Sequence, residues 1–101
     1  MIYNKLVRDK IPEIIRQDGK NCVFEYLSDE DYLKKIDEKL DEELEEYHEE
    51  QNIEELADLM EVIYAAAVAR GYSVEELEKV RKSKLEKHGA FNCKILLKEV
   101  K

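Results

Sequence analysis

Apolar positions along the chain recur mostly at helical spacing. Leu33, Ile36, Leu40, Leu44 and Tyr47 step by three, four, four and three, which is one stripe on a helix expected over roughly 29–50. Ser28 stands where a cap belongs, with Asp31 placed like the acid of a capping box. Gln51-Asn52 breaks the pattern, and Asn52 can cap a third helix that runs to about Arg70 and is closed by Gly71. From Leu56 onward that helix is apolar around most of its circumference, which suits the middle of a bundle or an oligomer interface. Ser73 and Glu76 open a fourth helix ending near His88, with Gly89 behind it.

Two segments read differently. Residues 9–18 predict a short first helix with Asp9 as N-cap, Pro12 in the first turn and Gly19 as the stop. Residues 22–27 and 91–98 are β-prone and too short for long helices, so two short strands that pair in a small sheet are expected there. The expected fold is mainly α: a bundle of about four helices with two short strands, in one domain spanning 1–101.

Composition narrows the function classes. The 101 residues carry 17 Lys+Arg against 25 Asp+Glu, a formal charge of −8, with three glycines and one proline. The 44% apolar fraction argues against disorder. No apolar run reaches the roughly 18 residues of a membrane span, and the first ten residues lack a signal-peptide core. Cys22 and Cys93 show no metal-ligand spacing and read as reduced thiols in a cytoplasmic protein.

The charge is segregated. Residues 1–20 carry +2, residues 25–78 carry −16 and residues 79–101 carry +6. An acidic centre of this kind argues against general nucleic-acid binding, which needs a basic face. It suits a cation site, with the basic ends free to meet an anion. A nucleotide bound through magnesium needs both.

The acids concentrate at two spacings, Glu42-Glu43-x-x-Glu46 on the second helix and Glu55-x-x-Asp58 on the third. Residues three apart share a helix face, so each pair can reach one cation. If the helices are antiparallel, Glu46 lies ~7 Å from the break and Glu55 ~4–5 Å, while Glu43 and Asp58 lie ~12 and ~9 Å from it. Glu46 is then expected opposite Glu55, and Glu43 opposite Asp58. Four convergent carboxylates favour magnesium or manganese over softer metals. The first spacing alone is weak, because residues 37–50 hold nine acids in fourteen and a solvated charged face is the ordinary explanation. Glu55, however, borders the apolar Leu59, Val62 and Ala66, and Glu43 borders the Leu40/Leu44/Tyr47 stripe. A carboxylate there needs a partner to offset desolvation.

Together with the run Tyr3-Asn4-Lys5-Leu6-Val7-Arg8-Asp9-Lys10-Ile11-Pro12, these spacings resemble the all-α nucleoside triphosphate pyrophosphohydrolases, and in particular small MazG-like, phosphoribosyl-ATP pyrophosphohydrolase-like proteins. The resemblance covers essentially the whole chain. It departs at His88-Gly89-Ala90-Phe91, where the family pattern is Arg-Gly-Gly-Phe-like, so no phosphate role is carried to His88.

The resemblance implies magnesium-dependent hydrolysis between the α and β phosphates of a nucleotide, releasing pyrophosphate. It implies Glu43, Glu46, Glu55 and Asp58 as metal ligands, and Glu42 as a residue that supports a ligand or orients the attacking water. The resemblance thus implies Glu42, Glu43 and Glu46 as the catalytic set. Lys5, Arg8, Lys10 and Lys84 are the anion-contact candidates, and Tyr3, Tyr26 and Tyr32 are unranked nucleobase candidates. A homodimer or higher homo-oligomer is expected from the apolar third helix. Ordinary or modified (d)NTPs in a house-cleaning role and phosphoribosyl-ATP are both compatible substrates. The rivals are a non-enzymatic helical module that binds nucleotide or protein, and an acidic partner of a basic protein.

Overall fold

The computed structural model describes residues 4–101. Four helices follow one another: α1 (Ile11–Gln17), α2 (Asp29–Glu50), α3 (Ile53–Ala69) and α4 (Val74–His88). Three of the four begin at side-chain caps read from the sequence. The Ser28 hydroxyl accepts from the Asp31 N–H at 3.2 Å, Asn52 Oδ1 from the Glu55 N–H at 3.0 Å, and the Ser73 hydroxyl from the Glu76 N–H at 3.0 Å. Each satisfies one of the N–H groups that the first helical turn leaves without a partner.

α1 departs from expectation at its start. Lys10, not Asp9, occupies the N-cap position, and no side chain caps the helix. The Ile11 N–H donates to the Arg8 carbonyl at 3.1 Å, so the turn through residues 8–11 leaves Lys10 in helical backbone geometry. A capping side chain needs an extended backbone, which this turn does not provide.

The two expected strands do not form. Among the described residues, neither 22–27 nor 91–98 contains strand structure. Both segments lie open, with Val23, Tyr26, Ile95 and Leu96 largely exposed. A β-prone sequence acquires strand structure only when a ladder partner takes up its N–H and C=O groups, and two isolated strands are marginal even when paired.

The architecture is a mainly α bundle whose centre is the α2–α3 pair. Glu43 on α2 lies level with Glu55 and Asp58 on α3, while Asp37 meets Arg70 at 3.0 Å. As numbers fall along α2 they rise along α3, so the two helices run antiparallel. The reversal is made at Gln51, whose left-handed backbone (φ +52°) lets its N–H close on the Tyr47 carbonyl at 2.7 Å. α4 packs less extensively, against α3, where the Tyr64 hydroxyl donates to Glu78 at 3.2 Å.

Packing between these helices buries little. Among the described residues only Ile36 and Val62 are buried apolar side chains, one from each member of the central pair. Much of the apolar surface of α3, including Leu56, Met60, Ile63 and Val68, remains exposed. α3 therefore occupies the central position that its sequence suggests, but with one side uncovered. No helix among the described residues is long and apolar enough to cross a membrane.

Candidate metal centre

Antiparallel α2 and α3 bring the acidic spacings together close to their shared break. Carboxylate oxygens of Glu42, Glu43 and Glu46 lie within 4.8 Å of one another, and so do those of Glu43, Glu55 and Asp58. Glu43 belongs to both groups and is the hinge of the cluster. It is also the most buried acid, at 7% exposure. Its Oε2 and that of Glu55 are enclosed and accept no hydrogen bond. An acceptor withdrawn from water without a donor is costly, by about 1–3 kcal/mol for an ordinary polar group and more for a charged one.

The electrostatics follow from this crowding. Burial pushes the Glu43 carboxyl above its ordinary value. Glu46 and Asp58 add to the rise and Lys39 opposes it. Glu55 is raised in the same way, first by desolvation and then by Glu46, Asp58, Glu43 and Glu50. Glu42 is the exception. Burial pushes it up too, but the ammonium groups of Lys5 and Lys39 outweigh that effect and hold it below the ordinary value.

Cations from three places line the cluster. Lys5 Nζ lies 3.2 Å from Glu42 Oε1, and Arg8 Nη2 lies 2.6 Å from Asp58 Oδ1. The segment before α1 thus lies across both acid-bearing helices, contacting residues 37 and 50 positions away. Lys39 reaches both Glu42 and Glu43 at 3.4 Å. Its part in the site was not anticipated, although its three- and four-residue spacing from those acids is the ordinary signal of a helical ion pair.

Lys10 and Lys84 stand apart. Among the described residues neither makes an ion pair with the acids, and Lys10 is an exposed residue at the start of α1. Lys84 lies on α4 beside a shallow groove of about 430 Å³, in the company of Lys79, Lys87 and His88. Tyr26 is exposed and Tyr32 half-buried, while Tyr3 lies outside the described residues. Cys22 and Cys93 are both free thiols.

Three carboxylates, those of Glu43, Glu55 and Asp58, open to one small volume, two of them with unsatisfied buried oxygens, and make a hard oxygen donor set. Such a set fits a divalent cation of the magnesium or manganese kind. Comparison of the chain with models of protein families, with curated proteins and with solved structures returns no match.

Proposed function

We propose that this chain is a magnesium-dependent nucleotide pyrophosphohydrolase that cleaves between the α and β phosphates of a (d)NTP or of phosphoribosyl-ATP, releasing pyrophosphate. The observation that carries this reading is the pair of enclosed, unpartnered oxygens on Glu43 and Glu55, beside Asp58. Glu43, Glu46, Glu55 and Asp58 would hold the cation, with manganese an acceptable substitute. When bound, the cation supplies charge neutralisation on the phosphates and acidifies water.

The chain's own residues do the remaining work. Hydrolysis of a phosphoric anhydride needs positioning and charge compensation more than covalent chemistry. Glu42, kept ionised by Lys5 and Lys39, orients the attacking water through an oxygen that stays an acceptor. Lys5 and Arg8 already lie over the acids, so they are placed to exchange a carboxylate for a phosphate oxygen once the acids are engaged elsewhere. Lys10 and Lys84 would contribute more distant positive potential. The two free thiols fit a reducing, cytoplasmic setting.

A rival draws on the same ion pairs. In a non-enzymatic helical module, Lys5, Arg8 and Lys39 would be the final partners of the acids. The test is a turnover screen against common NTPs, dNTPs, dUTP and phosphoribosyl-ATP, with and without magnesium. Monophosphate and pyrophosphate, formed only with metal and lost in Glu43→Gln, are expected. No turnover on any of these, together with no stabilisation by magnesium or manganese, would leave the binding module. Diphosphate and orthophosphate as products would keep a metal hydrolase but move the cleaved bond.

A further inference from the structure

Too much surface is open for a chain of this size. A compact monomer of 12.0 kDa exposes about 6,000 Å², whereas this chain exposes 9575 Å². Its longest dimension is 62 Å, while α2, at ~1.5 Å per residue, is about 33 Å long. Chain outside the central pair therefore projects from it. The excess area is several times the roughly 800 Å² that each partner buries in a standard interface.

Two apolar surfaces contribute to this exposure. One is the segment 90–101, where Phe91, Ile95, Leu96, Leu97 and Val100 are all at least 75% exposed. Among the described residues its one backbone hydrogen bond is internal, from the Lys94 N–H to the Phe91 carbonyl. The other is a groove of about 400 Å³ between α3 and α4, lined by Met60, Ile63, Tyr64 and Leu77 with Glu78 and Arg81 at its edge. The segment sets three apolar residues between two lysines, Lys94-Ile95-Leu96-Leu97-Lys98. The groove residues other than Arg81 belong to the part of the chain that carries −16, and exposed Glu61 stands next to Met60.

We propose that residues 90–101 are an arm that lies in the α3–α4 groove of a second copy of this chain, the two copies exchanging arms about a two-fold axis. Each copy offers one arm and one groove, so the exchange closes on itself and leaves neither surface exposed. The apolar triplet fills the groove, and a flanking lysine can meet exposed Glu61 beside it. This assembly is independent of the pyrophosphohydrolase reading, since the arm and the groove include none of the clustered acids.

The test is the oligomeric state, measured by light scattering across a dilution series. The full chain is expected to be a dimer. Leu96→Glu with Leu97→Glu alters only the arm, whose side chains lie in solvent in the isolated chain, and should weaken dimerisation by at least tenfold. Met60→Glu with Ile63→Glu alters the groove and should do the same. Mixing the two double variants should restore dimers, because the mixed pair keeps one intact arm in one intact groove. A full chain that remains monomeric at high concentration overturns the proposal. So does a dimer that tolerates the arm substitutions, or a mixture that stays monomeric.

Discussion

Arg8 Nη2 lies 2.6 Å from Asp58 Oδ1, joining a segment before the first helix to the third helix across fifty residues. The guanidinium occupies a place beside the acids where a cation would compete with it. Both side chains are more than 40% exposed, so the pair itself stabilises the fold little, by about 0–1 kcal/mol. Its importance is competitive. Removing Arg8 should strengthen magnesium binding two- to threefold, roughly the fraction of a kcal/mol that an exposed ion pair contributes. The same Arg8→Ala change should raise the nucleotide KM about tenfold, which is ~1.4 kcal/mol of lost anion contact. Calorimetric titration with magnesium alone separates the two effects. Weaker magnesium binding in the variant would show that Arg8 does not compete for the acids.

Glu43 presents a trade between stability and binding. Its carboxylate is enclosed, with Oε2 lacking a donor, and burial holds its pKa above the ordinary range. Neutralising it relieves a cost that the metal-free fold bears. Glu43→Gln should therefore melt at a higher temperature than the unsubstituted chain in chelator. With magnesium at a hundredfold excess over its dissociation constant the order should reverse, because the unsubstituted chain gains about 2.7 kcal/mol from binding. Calorimetric melts of both proteins, with and without metal, decide this. A variant less stable in chelator would mean that Lys39 already compensates the charge.

The pH dependence has a definite sign. Glu43 and Glu55 hold protons more tightly in the folded state than in the unfolded chain, where the value is near 4.5. Folded protein thus binds more protons just above that value, and stability falls as pH rises through the folded pKa. Metal-free protein should accordingly gain stability on mild acidification towards 4.5. Glu42, whose folded pKa is lowered, acts in the other window and withdraws its stabilisation only as pH falls below 4.5. Metal reverses the first trend, since it must displace protons from Glu43 and Glu55. Magnesium-induced stabilisation should shrink on the same acidification. Melting curves across this range, with chelator and with magnesium, should converge as pH falls; parallel curves would place the metal away from these two acids.

What could be read from the sequence divides along physical lines. The caps of α2, α3 and α4 were legible because a cap involves residues three apart. The approach of Glu43 to Asp58 was legible because an antiparallel pair joined by two residues leaves little freedom in register, whereas Glu46, expected opposite Glu55, is grouped with Glu42 and Glu43. The approach of Lys5 and Arg8 to Glu42 and Asp58 was not, since nothing local encodes a contact across 37 or 50 residues. The strands expected at 22–27 and 91–98 failed for a related reason. Their Val, Phe, Ile and Leu residues state an appetite for burial and leave open what will satisfy it. The apolar circumference of α3 predicts a surface to be covered, and this chain covers only part of it.

Asn52 links the fold to the site most directly. Its Oδ1 receives the Glu55 N–H at 3.0 Å, so the residue that starts α3 also holds the backbone of a clustered acid. Asn52→Ala should cost about 0.5–2 kcal/mol of stability, the usual range for a lost cap. It should also weaken magnesium binding, because the first turn of α3 then frays under Glu55. Asn52→Asp keeps an equally good cap but adds a negative charge one turn from the cluster. That variant should fold as stably as the unsubstituted chain while raising the pKa of Glu55 further. Its magnesium-induced stabilisation should fade at a higher pH during acidification. Thermal unfolding of the two variants, with and without metal, separates the backbone effect from the electrostatic one. Equal metal responses in Asn52→Ala and the unsubstituted chain would show that the cap does not position Glu55.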